Sequence, residues 1–310
     1  MDRKDLNIMR ALLVNGRATY QTIGHDLGLS SSTVKARVSK MINESVIVRF
    51  LANVKLEAFG YDLIYVVVRH GHEEEGEILR KVKLVGDTFM VINCVGGVTV
   101  LGMAVKGELE KKMEITKTLL EPAVVTSIFP VKASPVERFT RTDLMLIRHL
   151  IKYPRATMKD IAKALKVSTR TVKRRFNALT KNEVMHFMIL FNPAAMKGYI
   201  HFSMMLDVDA KKYRDVVRRI HKELSENFLL PPPPMYQESV IVVLLYTDNL
   251  YSMDEMFKKV KSFNGVRNVE LFMPSKLEFK QDWFVNIIDN LLKKSKEAKF
   301  IHQEDYIVAR

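Results

Sequence analysis

The chain matches itself. Displaced by 138 positions, Asp5–Ile47 falls on Asp143–Met185 without a gap. Identical pairs under that displacement include Leu6/Leu144, Arg10/Arg148, Arg17/Arg155, Ala18/Ala156, Thr19/Thr157, Ser30/Ser168, Thr33/Thr171, Lys35/Lys173 and Arg37/Arg175. Most remaining apolar positions exchange one apolar residue for another, and Gly60-Tyr61 falls on Gly198-Tyr199. Whatever this sequence folds into, it must therefore build the same unit twice.

The first part of each unit reads as three helices. In copy one, Leu6, Met9, Leu12 and Leu13 share one face of a helix over about Lys4–Asn15. Thr19 caps a short second helix, Gly28 makes a sharp turn, and Ser30 caps a third helix over about 31–43 with Val34, Val38 and Met41 inward. Copy two repeats this with a Thr140/Asp143 capping box, caps at Thr157 and Ser168, and Val172, Phe176 and Leu179 inward. A tight turn before a third helix is the helix-turn-helix arrangement, whose last helix enters the major groove. The face left outward is cationic and hydrogen-bonding: Ser31, Ser32, Lys35, Ser39 and Lys40, flanked by Arg37, in copy one. In copy two it is Thr169, Arg170, Lys173, Arg174 and Asn177, flanked by Arg175. Such groups suit phosphates and purine edges.

Charge supports the same assignment. Of the formal net charge of +14, residues 1–50 carry +4 and residues 136–186 carry +9. Charge needed only for solubility would be spread evenly, whereas two concentrations at matched places are a phosphate-contact footprint. The segments after each third helix, Val46–Lys55 and Val184–Phe191, are β-rich and read as a wing or a linking strand.

The second part of each unit reads β-α-β-β-α-β over residues 61–132, and again from Ile200 to Met273, the order of a ferredoxin-like sandwich. Pro231–Pro234 falls where copy two's second strand should begin, which predicts a shortened edge strand there, with the prolines as a stiff connection. The expected fold class is α+β: two winged helix-turn-helix domains (1–55 and 136–192) alternating with two ferredoxin-like βαββαβ, or RAM-type, domains (56–135 and 193–275). A tail at 276–310 carries a helical stripe of Phe284, Ile287, Ile288, Leu291 and Leu292 that should pack on its own chain or a neighbouring subunit.

This architecture resembles the Lrp/AsnC (feast/famine) transcription regulators over about residues 1–132 and again 139–274, most specifically at Leu27–Val38 and Leu165–Phe176. The resemblance implies α/β domains that pair two units, here an intramolecular pseudo-dimer that can associate further into homo-oligomers. It also implies double-stranded DNA as partner and, as in many members, an amino acid or small metabolite as effector. Gly96, Gly97 and Thr99 stand nearest the place where many members hold a glycine and an acidic residue; copy two has Tyr236-Gln237-Glu238-Ser239 there. Read from the residues alone, Gly96-Gly97 makes a hairpin turn first and an effector site second.

Other chemistries find little purchase. His70-Gly71-His72 beside Glu73-Glu74-Glu75 lies at a strand-to-helix turn, where acids are favoured by the helix dipole without a metal. Cys94 is the only cysteine, sits in an apolar strand and reads as an inert core residue. Neither a P-loop nor a dinucleotide fingerprint is present, so no cofactor and no metal are expected. A charged N-terminus, no apolar run of membrane-spanning length and a single cysteine place the chain in the cytoplasm, on the nucleoid. The expected function is a sequence-specific DNA-binding transcription regulator reading two half-sites, not an enzyme. The alternatives are an architectural DNA-compacting protein or an enzyme of the same architecture resembling the sirohaem decarboxylases. Those need no basic readers, and their His-Cys-Tyr type of signature is missing here.

Overall fold

The computed structural model describes residues 1–70, 75–133, 138–231 and 239–297. The first reader consists of α1 (Arg3–Val14), α2 (Tyr20–Leu27) and α3 (Ser31–Asn43). Its boundaries follow the caps. Asp2 and Asp5 form a reciprocal capping box, and the Thr19 and Ser30 hydroxyls accept from the amides of Thr22 and Thr33. Gly28 ends α2 in the left-handed region at φ 64°. Strand β1 (Ile47–Val54) leads into the first α/β domain: β2 (Asp62–Arg69), α4 (Glu75–Val82), β3 (Asp87–Cys94), β4 (Val98–Val105), α5 (Leu109–Leu120) and β5 (Val124–Val131).

The second copy repeats the plan with α6 (Arg141–Lys152), α7 (Met158–Leu165), α8 (Thr169–Lys181) and β6 (Met185–Phe191). Thr140 with Asp143, Thr157 and Ser168 supply the equivalent caps. Lys166 stands where copy one has Gly28 and holds the same left-handed conformation at φ 55°, a strain of about 1 kcal/mol that glycine avoids. The second α/β domain follows: β7 (Ile200–Val208), α9 (Tyr213–Leu224), β8 (Phe228–Leu230), β9 (Val240–Thr247), α10 (Leu250–Lys261) and β10 (Val266–Phe272). Finally come β11 (Pro274–Phe279) and α11 (Asp282–Glu297).

Both sheets have the ferredoxin-like order. The second runs β10-β7-β9-β8 and the first β5-β2-β4-β3, with β11 added beyond β3 as a fifth strand. Strand β8 is three residues long and lies at the edge, as proline demands, but Pro231 ends it where the sequence reading had the prolines begin it. Pro232–Pro234 lie outside the described residues.

The halves interlock rather than sit side by side. β1 and β6, the strands after the two readers, pair antiparallel with each other. The pairs Ala52/Phe187 and Arg49/Leu190 exchange under the internal displacement, the mark of a local two-fold axis. The first reader's core is completed by Ile189, Phe191, Met196, Leu229 and Tyr246 of the second half. The second reader's core is completed by Leu56, Ala58, Phe59 and Leu63 of the first half, with Phe284 and Ile288 of α11. Each reader is thus mounted on the other half's α/β domain.

The tail departs from the sequence reading in one respect. Its first residues are a strand, β11, that crosses from the second domain to pair with β3 of the first. Leu277 and Phe279, alternating with Lys276 and Glu278, carried that signal. Helix α11 then packs on α6, with Arg148 donating to Asp289 and Arg141 donating to the Leu292 carbonyl at 2.9 Å.

One glycine gauges how tightly reader and linker are joined. Gly16 donates to Phe187 O at 2.8 Å, and a Cβ at Gly16 would stand 2.8 Å from the backbone of Met188. Backbone cannot rotate out of the way. Gly16→Ala is therefore expected to lower stability by about 1–3 kcal/mol, measured by chemical denaturation; a melt equal to that of the parent would remove this contact from the account.

Candidate DNA interface

The outward faces of α3 and α8 follow from their inward ones. Val34, Val38 and Met41 are buried on α3, and Val172 and Leu179 on α8. That leaves Ser31, Ser32, Lys35, Ser39 and Lys40 exposed on α3, and Thr169, Arg170, Lys173, Arg174 and Asn177 exposed on α8. Neither helix has an acid in its first turn, so its N-terminal amides and dipole add to the positive field. Among these cations Lys40 lies 4.0 Å from Glu44, an exposed pair that restrains it little.

The faces are matched in place but not in strength. Arg170 and Arg174 stand where α3 has Ser32 and Ala36, and Asn177 where it has Ser39. Reader two presents planar, multiply donating groups that can engage guanine or phosphate in pairs; reader one presents hydroxyls and lysines, which hold less tightly.

Arg37 and Arg175, which the sequence places beside the outward faces, are tied to the first helix of each unit. Arg37 Nη1 donates to Asp2 Oδ2 and Asp5 Oδ1, both at 2.7 Å, and its side chain is only 26% exposed. Arg175 reaches Asp143 at 3.5 Å from the matching place. The hydrogen bond to Asp5 and then that to Asp2 raise the Arg37 pKa further, while the Asp5 amide and Arg37 hold Asp2 below the usual carboxylate range. Asp5 and Asp143 are buried. These arginines brace the third helix on the first.

A second pair of repeated arginines sets the readers against each other. Arg17 donates to the carbonyls of Pro154 and Ala156, the latter at 2.7 Å, and lies over the rings of Phe176 and Phe187. Arg155 donates to Ala18 O at 3.1 Å and lies over Tyr20 and Phe50. The two contacts are the same contact seen from each side. Burial, then the like charge of Arg155, lowers the Arg17 pKa. Sequence reasoning noted Arg17 and Arg155 as an identical pair and gave them no role; an unchanged arginine in a turn was the available signal.

The expected effector residues lie at and beside one hairpin turn. Gly96 and Gly97 have φ of 83° and 69° and make the β3–β4 hairpin turn, as left-handed glycines do. A Cβ at Gly97 would stand 2.7 Å from His70 O. Thr99 is buried, with its hydroxyl 3.0 Å from His70 Nε2 and 3.4 Å from Asn93 Oδ1, and Asn93 donates to Glu75 at 2.7 Å. Tyr236, Gln237 and Glu238, like His72, Glu73 and Glu74, lie outside the described residues. Cys94 is buried between the sheets, and burial pushes its thiol up to about 11, away from nucleophilic use. No helix among the described residues is long and apolar enough to cross a membrane.

Comparison with known proteins bears on the same segments. The model of the AsnC-type helix-turn-helix domain matches residues 1–42, and that of a winged helix-turn-helix DNA-binding domain matches residues 139–184. The HTH-type transcriptional regulator FL11 of Pyrococcus abyssi is 31% identical over 103 residues, 30% of this chain and 68% of that protein. An HTH-type transcriptional regulator of Methanocaldococcus jannaschii is 33% identical over 67 residues, 22% of this chain and 45% of that protein. An uncharacterized one of Pyrococcus horikoshii is 28% identical over 99 residues, 32% of this chain and 65% of that protein. The chain thus spans between about half and two thirds of the length of these relatives. Among solved structures, the sirohaem decarboxylase NirDL superposes with a TM-score of 0.51 over 95% of this chain and 100% of that one, at 10% identity. That likeness is one of fold.

Proposed function

The chain belongs to the Lrp/AsnC family of helix-turn-helix regulators, and from that premise we propose that it is a sequence-specific DNA-binding transcription regulator reading two unlike half-sites. One observation carries the proposal. Two helices at matched positions of a duplicated unit turn uncharged and cationic donors outward, while their neighbouring arginines are spent on holding them in place. On this reading Ser31, Ser32, Lys35, Ser39 and Lys40 meet one half-site, and Thr169, Arg170, Lys173, Arg174 and Asn177 the other. The partner is duplex DNA in the cytoplasm, and pseudo-dimers associate further through their α/β domains.

The test is salt dependence combined with competition. Neutralising the phosphates met by Lys35, Lys40, Arg170, Lys173 and Arg174 should give a slope of log K against log salt of roughly −4 to −5. An excess of unrelated duplex should compete poorly with the cognate site. A flat salt response would end the DNA reading; a steep response with no sequence preference would turn it toward DNA compaction.

The decarboxylase fold is the specific ground for a second reading. A fold hosts unrelated functions, and function has to be argued from the site. Here the basic readers have a use in DNA binding and none in acting on a porphyrin. A Soret shift on adding an iron porphyrin, abolished with no effect on DNA binding by altering the α/β domains, would favour the enzyme.

A further inference from the structure

The two sheets face each other across a cavity of about 310 Å³. Its walls are apolar: Val67, Ile92 and Val100 from the first sheet, and Met205, Val242 and Leu244 from the second. Among the lining residues with hydrogen-bonding side chains are Tyr65 and, two residues apart on β7 and therefore on the same face, His201 and Ser203.

His201 and Ser203 are both more than nine-tenths buried, at 6% and 7% exposure. His201 Nδ1 lies 3.0 Å from the Leu245 carbonyl, which can only accept. The ring must therefore carry its proton on Nδ1, leaving Nε2 as a lone-pair acceptor. Nε2 has no partner among the described residues, and neither has the Ser203 hydroxyl. Ligand sites have this composition: mostly apolar, a few hundred Å³, with a small number of placed polar groups.

We propose that this inter-sheet cavity binds a neutral, mainly apolar molecule with one hydroxyl head, such as a phenol, the head donating to His201 Nε2 and accepting from Ser203. The walls select against charge. No lining residue among the described ones is acidic or basic apart from His201, and burial pushes the His201 pKa down to about 4, so the ring is neutral near neutral pH. A zwitterionic amino acid would bury two charges with no counter-charge. Leu13, at the end of α1, also lines the cavity, so an occupant touches the first reader directly. The proposal goes beyond the DNA reading and is tested without DNA.

The experiment titrates naphthol into the full chain by calorimetry, with naphthalene and naphthoate as controls. Saturable, equimolar naphthol binding is expected, with naphthoate at least about tenfold weaker. His201→Phe should weaken naphthol about tenfold, the equivalent of one hydrogen bond, and leave naphthalene unchanged. Val242→Trp, which fills the cavity from the other strand, should abolish both. Should His201→Phe not fold, His201→Leu, which likewise lacks an acceptor, serves the same comparison. Absence of saturable binding, as for a cavity that holds only water, would overturn the proposal. So would equal affinity for Val242→Trp, or naphthoate binding as tightly as naphthol.

Discussion

Replacing Arg170 and Arg174 together with alanine is expected to weaken binding to the cognate duplex by roughly a hundredfold or more, the largest loss any pair on the reading faces should give. Each guanidinium that engages a guanine edge is worth about 1–3 kcal/mol, and both side chains are exposed on the outward face of α8, free of ion pairs among the described residues. The matching changes in the first reader should do less, because Ser32 and Ala36 occupy those places. Fluorescence anisotropy at one fixed salt concentration, on cognate and scrambled duplexes, measures the difference. If the double variant kept parental affinity, α8 would not be the reading helix. Arg175→Ala should behave otherwise, lowering stability by freeing the buried Asp143 while the reading face keeps its own donors.

The second large effect is expected at Phe284. This ring is 2% exposed, meets Phe59 edge-on at 4.9 Å, and sits with Ile288 in the second reader's core. Phe284→Ala should cost about 3–5 kcal/mol, the usual loss for truncating a buried aromatic. The damage should be local. Hydrogen exchange should rise over α11 and α6 while the first reader, which has no such helix in its core among the described residues, keeps its protection. Asp289→Ala, which removes only the half-exposed pair with Arg148, should cost less than about 1 kcal/mol. Uniform loss of protection across both readers would mean that α11 stabilises the whole molecule rather than its one neighbour.

How much of this was legible beforehand depends on the range of the interactions. The caps at Thr19, Ser30, Thr140, Thr157 and Ser168 and the inward stripes of α3 and α8 are local, and the sequence displays them directly. So is the βαββαβ order. The crossed mounting of the readers was not legible, because the apolar faces of β1 and β6 do not say whose partner they seek. The ion pairs of Arg37 and Arg175 were not legible for a related reason. Helical spacing places them beside the reading face, but only the return of Asp5 and Asp143 from the first helix shows that they are occupied. Gly96 and Gly97 carried the hairpin reading correctly; Thr99, one strand position further on, was buried by neighbours that lie far from it along the chain.

The joined strands β1 and β6, and the arginines that each reader lends the other, have a consequence for mass action. Two separate subunits must find each other before they can grip a duplex together, so their occupancy falls away steeply when copies are scarce. In this molecule the two readers are joined at folding, before any association between molecules. Engagement of a duplex by one molecule's pair should therefore follow protein concentration to the first power, and a cell holding only a few copies would lose none of these pairs to dissociation.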